Sequence, residues 1–339
     1  MNWNEKKVVV FGGGGFLGSY IIEELLELGC DQLCSFGRSD QPGLRSKGIR
    51  VIQGDIRDEK AVIDACSGAD IVFLTAAKAG VWGSWNDYFS INVLGARHVI
   101  NGCKDNGVGI LVYTSSPSVA YSAEVDVENM NERNPYPSKY LAHYPKSKAI
   151  AEQDVLAANC SSLKTVSLRP HLIWGPRDPH LIPRVLETAQ CGKLKIVGNG
   201  ENTVDMTYVT NGAHAHVCAA ETLSDPERCL NAEGKAYFIS DDRPVKLWMW
   251  TNDLLKKCAL QPVDKKISYR AAHGVGMIME LIYSVIPFRG EPPMTRFIAG
   301  QFAHSHWFDI SAAKKDLGYR IVTDPDKGLE NLIKTIYNN

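Results

Sequence analysis

Apolar positions in the first half of the chain come in short unbroken bursts, separated by longer amphipathic stretches. Val8-Val9-Val10-Phe11 is the first burst, β-branched and followed at once by glycines. A run of that length without alternation reads as a strand buried on both faces. Residues 19–28 then place Tyr20, Ile21, Leu25 and Leu28 at helical spacing, so a helix follows the strand. Further strands are expected at 32–36, 50–56, 70–74, 110–113 and 165–168. One helix starts near Tyr88, and another runs from Tyr144 through Gln153. Strands alternating with helices imply an α/β fold, a Rossmann-type doubly wound parallel sheet with helices on both faces. Ligands in such a sheet lie beyond the carboxyl ends of the strands.

The regular alternation weakens after residue 172, and prolines become denser. Residues 1–172 are therefore expected to form a dinucleotide-binding domain, and 173–339 a mainly substrate-binding portion. Thr207-Tyr208-Val209 reads as a strand, and the chain is expected to return to the first domain at about 204–222. The smaller C-terminal domain is thus interleaved with the first. Residues 275–288 are the most apolar run of the second half, interrupted by Glu280. Three readings compete for it: a core or lid helix over a greasy substrate, an interfacial or partner-docking helix, and plain packing.

Composition narrows the partners. A length of 339 residues allows one large domain or two closely joined ones. A net charge of -1 without a run of like charges leaves no electrostatic footprint for nucleic acid. The nine cysteines never fall as C-x-x-C, and the first apolar run is too short for a signal peptide. Reduced thiols in a cytoplasmic protein are the expectation. No stretch is long enough to span a bilayer. His214/His216 and His304/His306 pair only in sequence, with no cysteine or carboxylate noted at ligand spacing. They are expected to be structural, and no metal is expected.

The chemistry begins at the first turn. Gly12, Gly15 and Gly18 sit between a strand and a helix, the context that makes a glycine motif a dinucleotide site. One glycine permits the tight turn, one lets backbone approach a pyrophosphate, and one lets helix and strand pack closely. After the second strand an NAD site usually offers an acid to the ribose. This chain offers Arg38 and Ser39 instead, a cation and a donor suited to a 2′-phosphate. NADP(H) is therefore the preferred cofactor and NAD(H) the alternative, the plainer reading being that Arg38 sits on a solvated loop. Asp55 ends a strand where it could meet adenine, and Ala76-Ala77-Lys78 offers small residues along which a cofactor could lie.

Tyr144 and Lys148 stand one helical turn apart on one face. Beside a cationic lysine a phenol becomes easier to ionise, which suits the interconversion of an alcohol and a ketone. The pair is a weak signal alone. It strengthens beside a dinucleotide site and a polar residue, Ser116 at a strand end, that could hold a carbonyl.

Taken in order, Gly12-x-x-Gly15-Phe16-x-Gly18, Asp55, Asn92, Ser116, Tyr144-x-x-x-Lys148 and Arg169-Pro170 resemble the extended short-chain dehydrogenase/reductases, in their 3β-hydroxysteroid dehydrogenase-like branch. The resemblance covers nearly the whole length. One departure is Phe11, where many members carry threonine before the first glycine. Finer matches at residues 76–84, 113–119 and 169–176 are similar to reductases of β-keto acids bearing two long alkyl chains in bacterial olefin biosynthesis.

The resemblance implies roles. Tyr144 is the acid for ketone reduction, Lys148 lowers its pKa and holds the nicotinamide ribose, and Ser116 donates to the carbonyl oxygen. Asn92 supports a lysine-linked water. Cofactor contacts are implied at Gly12, Gly15, Phe16, Leu17, Gly18, Arg38, Ser39, Asp55, Ile56, Ala76, Ala77, Lys78, Tyr144, Lys148, Pro170 and Leu172. A β-keto acid needs a cation or donor near its carboxylate, and Lys78, His171, Arg177, His180 and Arg184 are candidates by position, beside Ser116. Each of those five reads equally well as a solvated or packing residue.

The resemblance further implies a homodimer through the helix of Tyr144 and the one near Asn92. The apolar run at 275–288 suggests docking to other pathway enzymes or peripheral association with a membrane. An oxidising 3β-hydroxysteroid or sterol-4-carboxylate 3-dehydrogenase, a cofactor sensor without turnover, and a nucleotide-sugar epimerase or dehydratase are the alternatives.

Overall fold

The computed structural model describes residues 1–286 and 290–338. Seven strands build the central sheet: β1 (Lys7–Phe11), β2 (Gln32–Gly37), β3 (Arg50–Gln53), β4 (Ile71–Leu74), β5 (Ile110–Thr114), β6 (Lys164–Pro170) and β7 (Lys235–Ile239). They lie in the order β7-β6-β5-β4-β1-β2-β3, every pairing parallel. Val8 and Val10 point into one core, while Val9 and Phe11 point into a second on the opposite face. That two-sided burial is why the run carries no polar alternation. β1 lies between β2 and β4, so the chain departs from it in both directions and leaves a crevice beyond the strand ends.

Helix α1 (Phe16–Glu27) buries Ile21, Ile22 and Leu25 in the first core. On the other face, α2 (Gly95–Asp105) contributes Ala96, Val99 and Cys103, and α3 (His143–Ala157) contributes Ala151 and Val155. After β6 the chain leaves the sheet through α4 (Leu181–Gln190). It comes back as α5 (Val209–Ser224), which packs along α1, and then adds β7 to the edge of the sheet beside β6. It leaves again for α6 (Leu247–Lys257), α7 (Tyr269–Val285) and α8 (Arg296–Ala303). These helices surround a third core that contains Trp174, Ile182, Val204, Trp248 and Leu254.

Several local expectations shift. The strand expected at 50–56 ends at Gln53, because the chain turns at Asp55, whose carbonyl accepts from Asp58 N–H at 2.9 Å. The helix expected near Tyr88 begins at Trp85, where the Ser84 hydroxyl accepts from Asp87 N–H at 3.1 Å. It passes through a π turn, Phe89–Leu94, before α2. Val209 opens α5 rather than ending a strand, and β7 was not expected.

Of the run at 275–288, Pro287 and Phe288 lie outside the described residues. The rest is the C-terminal part of α7, a surface helix that exposes Met277, Ile278, Leu281 and Val285 by 54, 54, 65 and 74%. Plain packing does not account for that. Glu280 turns inward to accept from Arg296 N–H and Nε, both at 2.7 Å. No described residue of α7 lines the crevice; α8 supplies that wall through Phe297 and Gln301. Among the described residues no helix is long and apolar enough to cross a membrane. All nine cysteines are free.

Candidate active site

Beyond the carboxyl ends of the strands lies a cleft of about 870 Å³. Its floor is the turn after β1. Gly12 has φ +88°, and a Cβ there would meet Ala76 N at 2.7 Å; one on Gly18 would lie 2.2 Å from the Gly12 carbonyl oxygen. Close approach of three segments thus demands glycine at both positions. No side chain caps α1 at Gly15, so its first N–H groups point, unsatisfied, at the cleft. Unpaired N–H groups and the helix dipole together make an anion site.

One end of the cleft carries Arg38, Ser39, Asp55 and Ile56. Arg38 is exposed and makes no ion pair among the described residues; its carbonyl accepts from Gln53 Nε2 at 2.9 Å. Asp40, not singled out in the sequence, also lines this end, but its carboxylate already accepts from Arg45 Nε at 3.1 Å and Gln41 N at 2.9 Å. Asp55 takes both Nε and Nη2 of Arg57, at 3.0 and 2.6 Å. That ion-paired hydrogen bonding holds its carboxyl at about 2 against a smaller opposing effect of burial.

The other end carries Ala76, Ala77, Lys78, Ser116, Tyr144, Lys148, Pro170 and Leu172. Lys148 is buried, donates Nζ to the Thr114 carbonyl at 2.6 Å, and sits 4.2 Å from the Tyr113 ring centroid. Burial lowers its pKa to about 7, with the Glu152 charge acting in the opposite direction. The Tyr144 phenol is raised above 10 by its own burial, and a hydrogen bond with Ser116 acts against that rise. The expectation of a more acidic tyrosine is therefore not met, because desolvation outweighs the hydrogen bond with Ser116. The Ser116 hydroxyl also meets Ser118 Oγ at 2.9 Å. One turn beyond Lys148, Glu152 is fully buried and accepts from Arg169 Nη2 at 2.6 Å, Tyr136 at 2.6 Å and Ser167 at 2.8 Å.

The expected substrate roles of His171, Arg177 and Arg184 need correction, and Asn92 holds a bracing position beside them. Asn92, in the π turn, spends its amide on the Lys78 backbone, accepting at 2.7 Å and donating at 3.2 Å, and on Ser147 Oγ at 2.9 Å. Its side chain braces the cleft wall against α3. His171 is buried and meets His306 Nδ1 at 2.6 Å, while His306 Nε2 meets the Gln301 carbonyl at 2.9 Å. A carbonyl only accepts, so His306 donates from Nε2 and accepts from His171. Burial pushes His171 well below 6.5 and His306 to about 4, so neither is a cation for a carboxylate.

Arg177 pairs with Glu23 at 2.6 Å and stacks on Tyr20, and Arg184 pairs with Glu291 at 3.1 Å; both lie outside the cleft lining. Lys78 and His180 do line it. His214 contacts Cys218 Sγ at 3.3 Å and Glu24 at 2.7 Å, so it does have such neighbours. No group among the described residues could hold a metal.

Residues that sequence reasoning missed include Tyr121 and Gln301, paired across the cleft at 2.9 Å from opposite halves of the chain. Nothing local in the sequence signals that pairing. His216, expected to be structural, accepts from Thr114 Oγ1 at 2.7 Å, because its other nitrogen donates to the Gly212 carbonyl.

Comparison with known proteins agrees with this geometry. The model of the 3-beta hydroxysteroid dehydrogenase/isomerase family matches residues 9–268. A 2-alkyl-3-oxoalkanoate reductase of Stenotrophomonas maltophilia is 45% identical over 327 residues, 96% of this chain and 98% of that protein. The decarboxylating sterol-4-alpha-carboxylate 3-dehydrogenase of Mus musculus is 32% identical, over 98% of this chain and 91% of its own. Among solved structures, a dTDP-glucose 4,6-dehydratase of Streptomyces venezuelae with NAD bound superposes with a TM-score of 0.76 at 20% identity, covering 98% of this chain and 97% of its own. At that identity the likeness is one of fold.

Proposed function

We propose a function from one premise: the chain belongs to the 3-beta hydroxysteroid dehydrogenase/isomerase family. It is an oxidoreductase that uses a nicotinamide dinucleotide to interconvert a ketone and an alcohol. Its reaction is reduction of the ketone of a long-chain 2-alkyl-3-oxoalkanoic acid to the 2-alkyl-3-hydroxyalkanoic acid, a step of olefin biosynthesis. The observation that carries this reading is 45% identity to such a reductase over nearly both full lengths. The convergence of Ser116, Tyr144 and Lys148 in one cleft with the glycine turn accords with it.

When bound, the reduced nicotinamide supplies hydride to the ketone carbon. Gly12, Gly15 and the open N-terminus of α1 would hold the pyrophosphate, with Ala76 and Ala77 along the nicotinamide half. Arg38 and Ser39, unencumbered at the other end, favour NADP(H) through its 2′-phosphate, and Asp40 is held off by Arg45. Ser116 donates to the ketone oxygen. Tyr144, a phenol protonated at neutral pH and held so by burial, gives its proton to the same oxygen. A charged Lys148 steadies the phenolate left behind. Lys78 is the cleft-lining cation best suited to the substrate carboxylate. Prompt reduction also removes the β-keto acid, which otherwise loses carbon dioxide on its own.

The reading extends to a cytoplasmic homodimer through α2 and α3, with the exposed apolar side of α7 as a contact for a pathway enzyme or a membrane surface.

The test is nucleotide turnover by purified protein with NADPH and with NADH. A long-chain 2-alkyl-3-oxo acid, assayed in reverse with the stable hydroxy acid, is compared with a 3β-hydroxysteroid. Turnover of the alkyl acid with NADP(H) is expected, with kcat lowered by about 10³ in Tyr144→Phe. Arg38→Ala should raise the KM for NADPH by about tenfold or more and leave that for NADH nearly unchanged. Turnover of the steroid alone, with NAD, would overturn the substrate and the cofactor preference together.

A further inference from the structure

Next to the catalytic cleft, inside the third core, is a second and smaller void of about 40 Å³. α4 walls it with Leu181 and Val185, α6 with Trp248 and Thr251, and Leu194 and Met206 close the remaining sides. Leu172, Leu181 and Gln301 line both spaces, so the two adjoin across a partition these three residues make.

Apart from the Trp250 indole, the polar side chains at this wall are committed within the protein. Thr251 Oγ1 donates to the Leu247 carbonyl at 2.8 Å, and Trp248 Nε1 donates to the Phe302 carbonyl at 3.1 Å. His306 uses one nitrogen on His171 and the other on the Gln301 carbonyl, and the Gln301 side chain is bonded to Tyr121. A water there would find apolar carbon and at most the Trp250 indole N–H as a partner, too few to hold it, and such voids accept hydrocarbon.

We propose that this pouch receives the end of one of the substrate's two alkyl chains, while the β-keto acid head lies in the cleft at Ser116 and Tyr144. The proposal rests on the function inferred above, since it needs a substrate with an alkyl chain to place. At about 10–15 Å³ for each water-sized group, the void has room for about three methylenes. The pouch therefore measures the last few carbons of a chain, and the cleft holds the rest. A glycosyl or nucleotide substituent would strand its hydroxyls there.

Two variants act in opposite directions. Val185→Phe fills the pouch from α4, and Leu194→Ala enlarges it. Each is compared with the native enzyme by kcat/KM for a series of 2-alkyl-3-hydroxy acids that differ only in chain length, with NADP⁺ saturating. NADPH binding, followed by fluorescence, confirms that each variant is folded. Each buried methylene is worth about fourfold in kcat/KM, so Val185→Phe should lower the long-to-short ratio by ~60-fold. Leu194→Ala should move the preferred length up by one to three carbons.

Folded variants that keep the native length profile overturn the pouch and leave the reductase intact. If Val185→Phe fails to bind NADPH, the Leu194→Ala profile decides alone. A native enzyme that turns over no long-chain acid overturns the reductase reading itself, before any variant is made.

Discussion

With its pKa lowered to about 7, Lys148 changes charge within the range that a cell maintains, because burial strips its hydration and Glu152 restores the charge only in part. In the proposed mechanism ketone reduction needs the charged form, to hold the phenolate that Tyr144 would become. The kcat/KM for reduction, measured at saturating cofactor, should fall as pH rises through a limb at or above about 7, since the negative dinucleotide favours the ammonium. Lys148→Arg, charged throughout, should lose that limb, and Lys148→Met should be ~10²-fold slower at every pH. A limb that persists unchanged in the arginine variant would assign it to another group. Tyr144 and Lys148 could be paired from the sequence because they stand one helical turn apart, and Ser116 could be placed by its strand end; the structure brings all three into one cleft. The fates of His171, Arg177 and Arg184 could not be read that way. Their partners lie 135, 154 and 107 residues away, and only those partners decide that His171 is neutral and that both arginines are engaged elsewhere.

α3 places Tyr144, Lys148 and Glu152 at successive turns of one face, so the element that carries the acid also carries its anchor. Burial would raise Glu152, but Arg169 and the hydroxyls around it more than offset this, and the carboxyl lies below its ordinary value. A depressed carboxyl stabilises the fold at pH above its unfolded value of about 4.3, and that contribution is lost as pH falls through the folded value. Glu152→Gln leaves the Arg169 charge buried without its partner, at a cost of about 3–5 kcal/mol. Its melting temperature should drop by about 4–7 °C at pH 7, with the gap to the native protein closing below about pH 4. A gap that stays constant with pH would mean the carboxylate charge contributes nothing.

At this scale the strand–helix alternation was legible wherever a run was long and periodic. β7 escaped because its four apolar residues, Ala236–Tyr237–Phe238–Ile239, stand among segments of the smaller portion, and only pairing with β6 makes them a strand of the main sheet. The π turn escaped because Asn92 is drawn inward by the Lys78 backbone, a contact that no periodicity encodes.

Across the whole molecule, the outer faces of α2 and α3 lie side by side, joined by Arg97 and Asp154 at 2.8 Å. Light scattering without detergent should give about twice the chain mass of 37.4 kDa if these faces meet a second copy. A monomer would remove both the dimer and any self-association through α7.

The path of the chain constrains how this enzyme can be re-engineered. The sheet is completed by β7 and covered by α5, both encoded after the chain has already made its first excursion. A chain cut short at residue 172 would bare the apolar sides of α1 and β6. Specificity therefore cannot be exchanged between relatives by joining one N-terminal half to another C-terminal half. A chimera would have to graft the segments after β6 and after β7 separately, together with the C-terminal helix that puts Leu329 and Leu332 into the third core, and leave α5 and β7 native. Recombination with a single crossover would almost always break the scaffold along with the pocket.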